Sequence, residues 1–294
     1  MTTATPRTEP AATENTRGEQ RDRELDEDLW GTRDFDLAAY LGRVGRPHAP
    51  PSLEALRALH EAHIRAIPFE NLDGLRGVRP LLDLESLTRK LVHDERGGYC
   101  YEQNGLFAAA LETLGYTVTR IVARVQPQRN GPRTHMNLLV RLEGQDYLAD
   151  VGFGASMFQP MPLREGVVVD QAGWPHRLRR EEGLWVLDKR SGETWETQYS
   201  FDTSPQAPID YEVFNHYTAT HPRSPFTRRI VVMRLSHGVS HQLIGDELIT
   251  ERPDGGKETT PVPPGELAPT LRRLGLDLPE ELLEQVRQRY AGTS

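Results

Sequence analysis

Arg96-Gly97-Gly98-Tyr99-Cys100-Tyr101-Glu102-Gln103-Asn104-Gly105-Leu106-Phe107 holds the one cysteine of the chain. Two glycines lead into Cys100 and an apolar, alanine-rich run follows it, so the spacing predicts a turn that ends at a helix start. A sulfur placed there lies near unpaired backbone N–H groups, and the positive end of the helix dipole favours thiolate over thiol. Thiolate is the form that attacks a carbonyl carbon. A free cysteine also packs as a small hydrophobe. The flanking pairs of tyrosines and glycines, however, do not look like the middle of an aliphatic core.

A thiolate nucleophile needs a base, and the base needs an orienting group. Downstream of the cysteine the hydrophobic period switches from helical to two. Thr117 to Val125 alternates, and Met136–Leu142 and Gln145–Val151 follow, joined at Glu143-Gly144, which reads as a hairpin. Of the ten histidines, His135 is the best base. It opens the first hairpin strand, in Arg133-Thr134-His135-Met136-Asn137, just after a Pro-, Arg-, Asn- and Gly-rich loop from Gln126 to Arg133. Asp150 closes the second strand, in Leu148-Ala149-Asp150-Val151-Gly152-Phe153-Gly154. Antiparallel register brings the start of one strand beside the end of the next, so His135 and Asp150 are expected at the same end of the sheet. The competing reading is a surface histidine and an unrelated strand-end aspartate. His60 and His63 flank Glu61 on a helix without metalloprotease spacing, so packed or solvated histidines are expected there and no metal site.

The rest of the chain frames this segment. Its 294 residues suffice for two or three units with real cores. A net charge of -8 argues against a nucleic-acid partner. The basic run Arg177-Leu178-Arg179-Arg180 precedes Glu181-Glu182 and reads as a solvated charged strand or loop. A lone cysteine forms no internal disulfide, and neither a secretory core nor an apolar run near 18 residues is present; the expectation is a cytoplasmic protein without a membrane span. Residues 1–33 are polar and read as a disordered tail. Helical periodicity follows over Phe35–Val44, over Leu53–Ile67 and from Asp83 through Val92, and Gly115 stops the helix that Cys100 begins. Strand patterns continue to about Phe201. Two more are expected at Arg229–Leu235 and His241–Thr250, before a C-terminal helix pair ending near Tyr290. The coarse order is a helical unit, a β-rich unit and a mixed unit.

The motifs together resemble the arylamine N-acetyltransferase family. The resemblance rests on Ile67-Pro68-Phe69-Glu70-Asn71-Leu72, the Arg96–Asn104 block, Thr134-His135, Asp150-Val151-Gly152-Phe153-Gly154 and Thr220-His221-Pro222-Arg223-Ser224-Pro225-Phe226. It implies an α+β fold in three parts with a Cys–His–Asp core like that of transglutaminase- and papain-like enzymes. The parts would be a helical bundle over 34–120 carrying the cysteine, a β-barrel over 121–220 carrying His and Asp, and an α/β lid over 221–294. It implies a Cys100–His135–Asp150 triad and ping-pong transfer of an acetyl group from acetyl-CoA, as co-substrate, to an arylamine or arylhydrazine. Phe153 and Phe226 would line the acceptor pocket. Thr134, Thr220 and Ser224 would face CoA, and Arg96 would anchor the catalytic turn through a two-bond pairing with Glu70. The chain departs from the family pattern in a longer N-terminal stretch, in a charged loop with Arg129 and Arg133, and in a shorter segment Ala155–Pro160. An alternative on the same machinery is an amide synthase that takes a polyketide chain from an acyl carrier protein and closes it onto an aryl amine as a macrolactam. A transglutaminase-like peptidase and a non-catalytic binding protein are the remaining readings.

Overall fold

The computed structural model describes residues 28–291. Most of the stretch assigned above to a tail lies outside the described residues, but its last part is built in. Asp28 Oδ1 accepts from the backbone N–H of Thr32 at 2.6 Å. Trp30 packs on Tyr211, with the Arg120 guanidinium 4.0 Å above its ring. The packed chain therefore begins before the boundary at 33 that composition gives.

The helical part starts with α1 (Leu37–Val44) and α2 (Leu53–Ala66). Each is opened by a side-chain cap: Asp36 accepts from Ala39 N, and Ser52 from Ala55 N. After β1 (Phe69–Glu70) and the short α3 (Leu72–Arg76), Asp83 caps α4 (Leu84–Thr88). The helix expected through Val92 is α-helical only to Thr88; Arg89–His93 continues as a wider π-type turn. The central helix is α5 (Cys100–Thr113), in which Leu106, Phe107, Ala108, Ala109, Ala110 and Leu111 are fully buried. A helix apolar on all sides belongs in the middle of a structure, and this one holds the cysteine at its first position.

Eight antiparallel strands form a nearly closed, barrel-like sheet: β2 (Thr117–Val125), β3 (Arg133–Leu142), β4 (Gln145–Ala149), β5 (Met161–Pro162), β6 (Val168–Gln171), β7 (Trp174–Glu181), β8 (Leu184–Ser191) and β9 (Thr194–Phe201). Their order is β5-β4-β3-β2-β9-β8-β7-β6. The β3–β4 turn has both central residues in the left-handed region, Glu143 at φ 50° and Gly144 at φ 80°. This is the geometry whose twist suits a two-residue hairpin. Ile121, Ala123, Leu139, Leu148, Leu178, Leu187, Tyr199 and Phe201 fill the interior. The basic run lies on β7 and is only partly solvated: Leu178 points inward, while Arg177 and Arg179 each donate to Asp188 Oδ2 at 2.9 Å.

The remaining chain forms α6 (Pro208–Thr220), a second sheet, and a helix pair α7 (Leu267–Arg273) and α8 (Glu280–Ala291). The sheet contains β10 (Val231–Ser236), β11 (Val239–Ile244), β12 (Glu247–Glu251) and β13 (Lys257–Pro261), in the order β1-β10-β11-β12-β13. The strand expected over His241–Thr250 is thus two strands, turned at Gly245 with φ 62°. The lid sheet also recruits β1 from the helical part, and the expected boundary at 120 falls inside β2. Neither the helical part nor the lid is closed without the other.

Candidate active site

Gly97 and Gly98 permit the close approach that places the cysteine. A Cβ on Gly97 would lie 2.1 Å from the Pro68 carbonyl oxygen. Cys100 is 4% exposed and its Sγ stands 3.6 Å from the Thr134 carbonyl oxygen. His135 follows directly on β3. The last β3–β4 pair is Leu138 with Ala149, so Asp150 leaves the ladder one residue later and reaches His135 on a diagonal of the same face. His135 Nε2 donates to Asp150 Oδ2 at 2.7 Å. Cys100 and His135 line the same cavity; with Nε2 taken by Asp150, Nδ1 is the atom left for the sulfur.

The carboxylate is saturated by donors. Asp150 Oδ1 accepts from Asn104 Nδ2 and from Gly152 N, both at 3.0 Å, and Oδ2 accepts a second bond from the Tyr199 hydroxyl at 3.0 Å. Burial works against its charge, but His135, Asn104 and the Gly152 N–H outweigh burial and hold the carboxyl below its ordinary range. Burial likewise disfavours the imidazolium of His135. Asp150, by charge and hydrogen bond, and then Cys100 overcome that and raise its pKa to about 10.

Asn104 is a site residue that the motif reading quoted without a role. It stands one helical turn from Cys100 on α5, and its amide also donates to Met136 O at 2.7 Å and accepts from Val151 N at 3.1 Å. It ties the thiol's helix to β3 and to the segment that follows β4. The i, i+4 spacing was its sequence signal. Gly152 presses against the same helix: a Cβ there would lie 2.7 Å from Cys100 Cα and 2.6 Å from Asn104 Nδ2. Tyr199 and His60 reach Asp150 from strands and helices far away in sequence, and no local signal marks them.

A cavity of about 440 Å³ opens over the sulfur and His135. Phe69, Phe153, Phe226 and Met233 give it apolar walls, and Thr134 and Ser224 line it as well. Phe153 meets the His135 ring edge-on at 4.9 Å. The structure does not bring Thr220 there: it is exposed on α6, with its hydroxyl donating to His216 O at 2.6 Å. Thr218 is the α6 threonine that faces the cavity. Ser224 is in place, but its hydroxyl is committed to Thr218 O at 2.6 Å. Of the loop arginines, Arg133 pairs with Asp202 at 2.6 Å and Arg129 is exposed.

The anchor beneath the catalytic turn differs from a simple two-bond pair. Arg96 divides its guanidinium, giving Nη2 to Glu70 Oε1 at 2.7 Å and Nη1 to Asp73 Oδ1 at 3.0 Å. Lys90 Nζ bridges Asp73 at 2.7 Å and Glu102 at 2.6 Å. Burial pushes the Glu102 carboxyl up to about 7 even against Lys90. Asp73 is held well below the usual carboxylate range, because Lys90 and Arg96 outweigh its desolvation. Glu102 Oε2 also accepts the backbone N–H of Tyr99 at 3.0 Å, so the network ends on the residue before the cysteine.

His60 and His63 are packed. His63 bonds Gln103 Oε1 and the Tyr40 hydroxyl, at 3.0 and 2.9 Å. Among the described residues no group of three or more histidine, cysteine or acidic side chains is placed to hold a metal ion.

A helical part, a barrel-like sheet and a lid, with thiol, imidazole and carboxylate meeting where they join, define a class of α+β proteins with a Cys–His–Asp constellation. The profile of the N-acetyltransferase family matches residues 52–283. The arylamine N-acetyltransferase of Mycolicibacterium smegmatis is 41% identical over 229 residues, 74% of this chain and 83% of the relative. The arylamine N-acetyltransferase / N-hydroxyarylamine O-acetyltransferase of Salmonella typhimurium is 38% identical over 228 residues, 76% of this chain and 75% of the relative. The solved arylamine N-acetyltransferase of Mycobacterium abscessus superposes with a TM-score of 0.86 at 35% identity, covering 90% of this chain and 98% of that one. The Mycobacterium marinum enzyme, solved in complex with CoA, gives 0.82 at 34% identity, covering 88% and 99%. The chain belongs to the arylamine N-acetyltransferase family.

Proposed function

We propose that the protein transfers an acetyl group from acetyl-CoA to the amine of an arylamine or arylhydrazine, with Cys100 as the nucleophile. The observation that carries this reading is that Cys100 and His135 open together into a cavity with aromatic walls, with Asp150 bonded to His135 behind them. Cys100 thiolate attacks the thioester carbon, the carbon–sulfur bond to CoA breaks, and CoA leaves as a thiol with the proton His135 supplies. An arylamine then attacks the acetyl-cysteine carbonyl; its N–H proton passes to His135 as the cysteine thiolate is expelled. Asp150 keeps the ring oriented through both halves and stabilises the imidazolium that gives its proton to CoA in the first and is restored by the amine in the second. Phe153 and Phe226 hold the aryl ring, and the Thr134 loop and the Ser224 turn flank the donor, with Thr218 in the place first given to Thr220.

The acetyltransferase names of the relatives support an acyl-CoA donor over a polyketide chain on a carrier protein. No described helix is long and apolar enough to cross a membrane; with a lone cysteine, this reading places the protein in the cytoplasm. The test is turnover: acetyl-CoA and a panel of aryl amines and hydrazines should give N-acetyl products and free CoA, and Cys100→Ser should give neither. Turnover by Cys100→Ser near the wild-type rate would overturn the mechanism.

A further inference from the structure

One imidazole outside the triad touches it through the backbone. His60 lies on α2, fully buried, with the edge of Phe107 against its ring. Its Nε2 stands 3.1 Å from the Asp150 backbone nitrogen, and its Nδ1 stands 3.1 Å from the Phe158 carbonyl oxygen. A backbone N–H only donates, so Nε2 is the bare nitrogen and Nδ1 carries the hydrogen given to Phe158. Both ends of segment 150–158 are therefore tied to one ring on the helical part. That segment carries Asp150 at its start, Gly152 packed on Cys100, and Phe153 against His135. The charged and titratable groups that face His60 are Asp150, His63 and Glu61. The neutral state that its bonds require agrees with a pKa that burial lowers to about 4.

Resting on the acetyl-transfer reading above, we infer that His60 is a positioning residue for that reaction: it clamps segment 150–158 at both ends and thereby sets Asp150 against His135 and Phe153 against the acceptor. The Asp150 side chain has four donors of its own, but they fix the carboxylate only while its backbone stays in place. The clamp fixes the backbone. It also couples the orienting carboxylate to the acceptor wall, so a single change at His60 reaches both.

His60→Met removes both bonds at similar size, whereas His60→Gln retains an acceptor and a donor at nearly the imidazole spacing. Three readouts are compared in protein whose folding is checked by thermal melting: kcat, KM for an aryl amine, and the His135 titration midpoint from histidine side-chain NMR. His60→Met should lower kcat by ~10–100-fold, as small misplacements of reacting groups do. It should also raise the amine KM and move the His135 midpoint down from about 10. His60→Gln should recover all three toward wild type. The inference is overturned if His60→Met leaves kcat, KM and the His135 midpoint unchanged. It is equally overturned if both variants lose rate only in step with melting temperature while the midpoint stays put. Because the NMR midpoint needs no turnover, it decides the clamp even if the wild-type protein fails to acetylate aryl amines, a failure that would fall on the proposed function instead.

Discussion

His135 and His60 are both buried and both bonded to Asp150, yet only His135 carries a charge. His135 meets the carboxylate and is held protonated to about 10. His60 meets the backbone N–H of the same residue and is held neutral to about 4. Desolvation acts in the same direction on both rings, so it does not separate them. The polarity of the partner atom does: an anionic acceptor stabilises imidazolium, whereas an N–H donor requires a bare nitrogen. One aspartate thus holds a proton carrier on its side chain and a fixed neutral prop on its main chain.

The harshest way to break this contrast is Asp150→Asn. The amide keeps the shape but removes the charge, and it offers an N–H where His135 needs an acceptor. His135 should then titrate below its ordinary value, as His60 does, and acyl transfer should fall by roughly 10⁴-fold, as in serine triads that lose the carboxylate. Well-folded Asp150→Asn with near-normal turnover would remove Asp150 from the mechanism.

A second test extends the rule from hydrogen bonds to charge clusters. Arg96 is shared by Glu70 and Asp73 beneath the cysteine turn. Arg96→Gln takes the close cation from buried Glu70, while Lys90 stays on Asp73, and should cost about 3–5 kcal/mol, the usual cost of breaking a buried ion pair from one side. Thermal or urea unfolding measures it. An unchanged melting temperature in both Arg96→Gln and Glu70→Gln would mean that the network does not hold the turn.

The smallest effect is read by proton counting. His60, His63 and His176 are neutral in the folded protein, with values lowered by burial to about 4, 3 and 4. Between those values and the unfolded pKa of about 6.5, the unfolded chain binds more protons, so these groups weaken folding as pH falls through that window. Glu102, raised to about 7, works the other way at pH 5, because it is protonated when folded and mostly ionised when unfolded. The balance is an uptake of about two protons on unfolding at pH 5, a slope of about 3 kcal/mol per pH unit. His135 reverses the sign above pH 6.5: its stabilisation is complete below that value and is lost as pH rises through about 10. Calorimetry in buffers of different ionisation enthalpy measures both arms. Proton release at pH 5 would show that the histidines are not held neutral.

The chain disclosed these parts unevenly. Hairpin register was enough to bring His135 toward Asp150, because period-two strands and a short turn leave one alignment that buries the apolar face. The cysteine's helix was equally plain, since Gly-Gly and an alanine-rich run mark its start. Tyr199 and His60 reach Asp150 across 49 and 90 residues, and pairing of that kind leaves no local pattern. α6 escaped because its buried face includes Asn215 and Thr218, polar residues that hide a helical period. β13 is exposed along its whole length and shows no alternation. The misplacement of Thr220 has the same origin, for only the turn of α6 decides that Thr218 faces inward.

The account stands on Cys100 carrying the acyl group between two substrates. Intact-protein and peptide mass spectrometry after mixing with acetyl-CoA alone, without an acceptor, tests this most directly. One acetyl group should appear on Cys100, survive removal of free CoA, and move to an aryl amine when that amine is added. An unmodified Cys100, or an acetyl group on Cys100 that an aryl amine does not remove, would contradict the account.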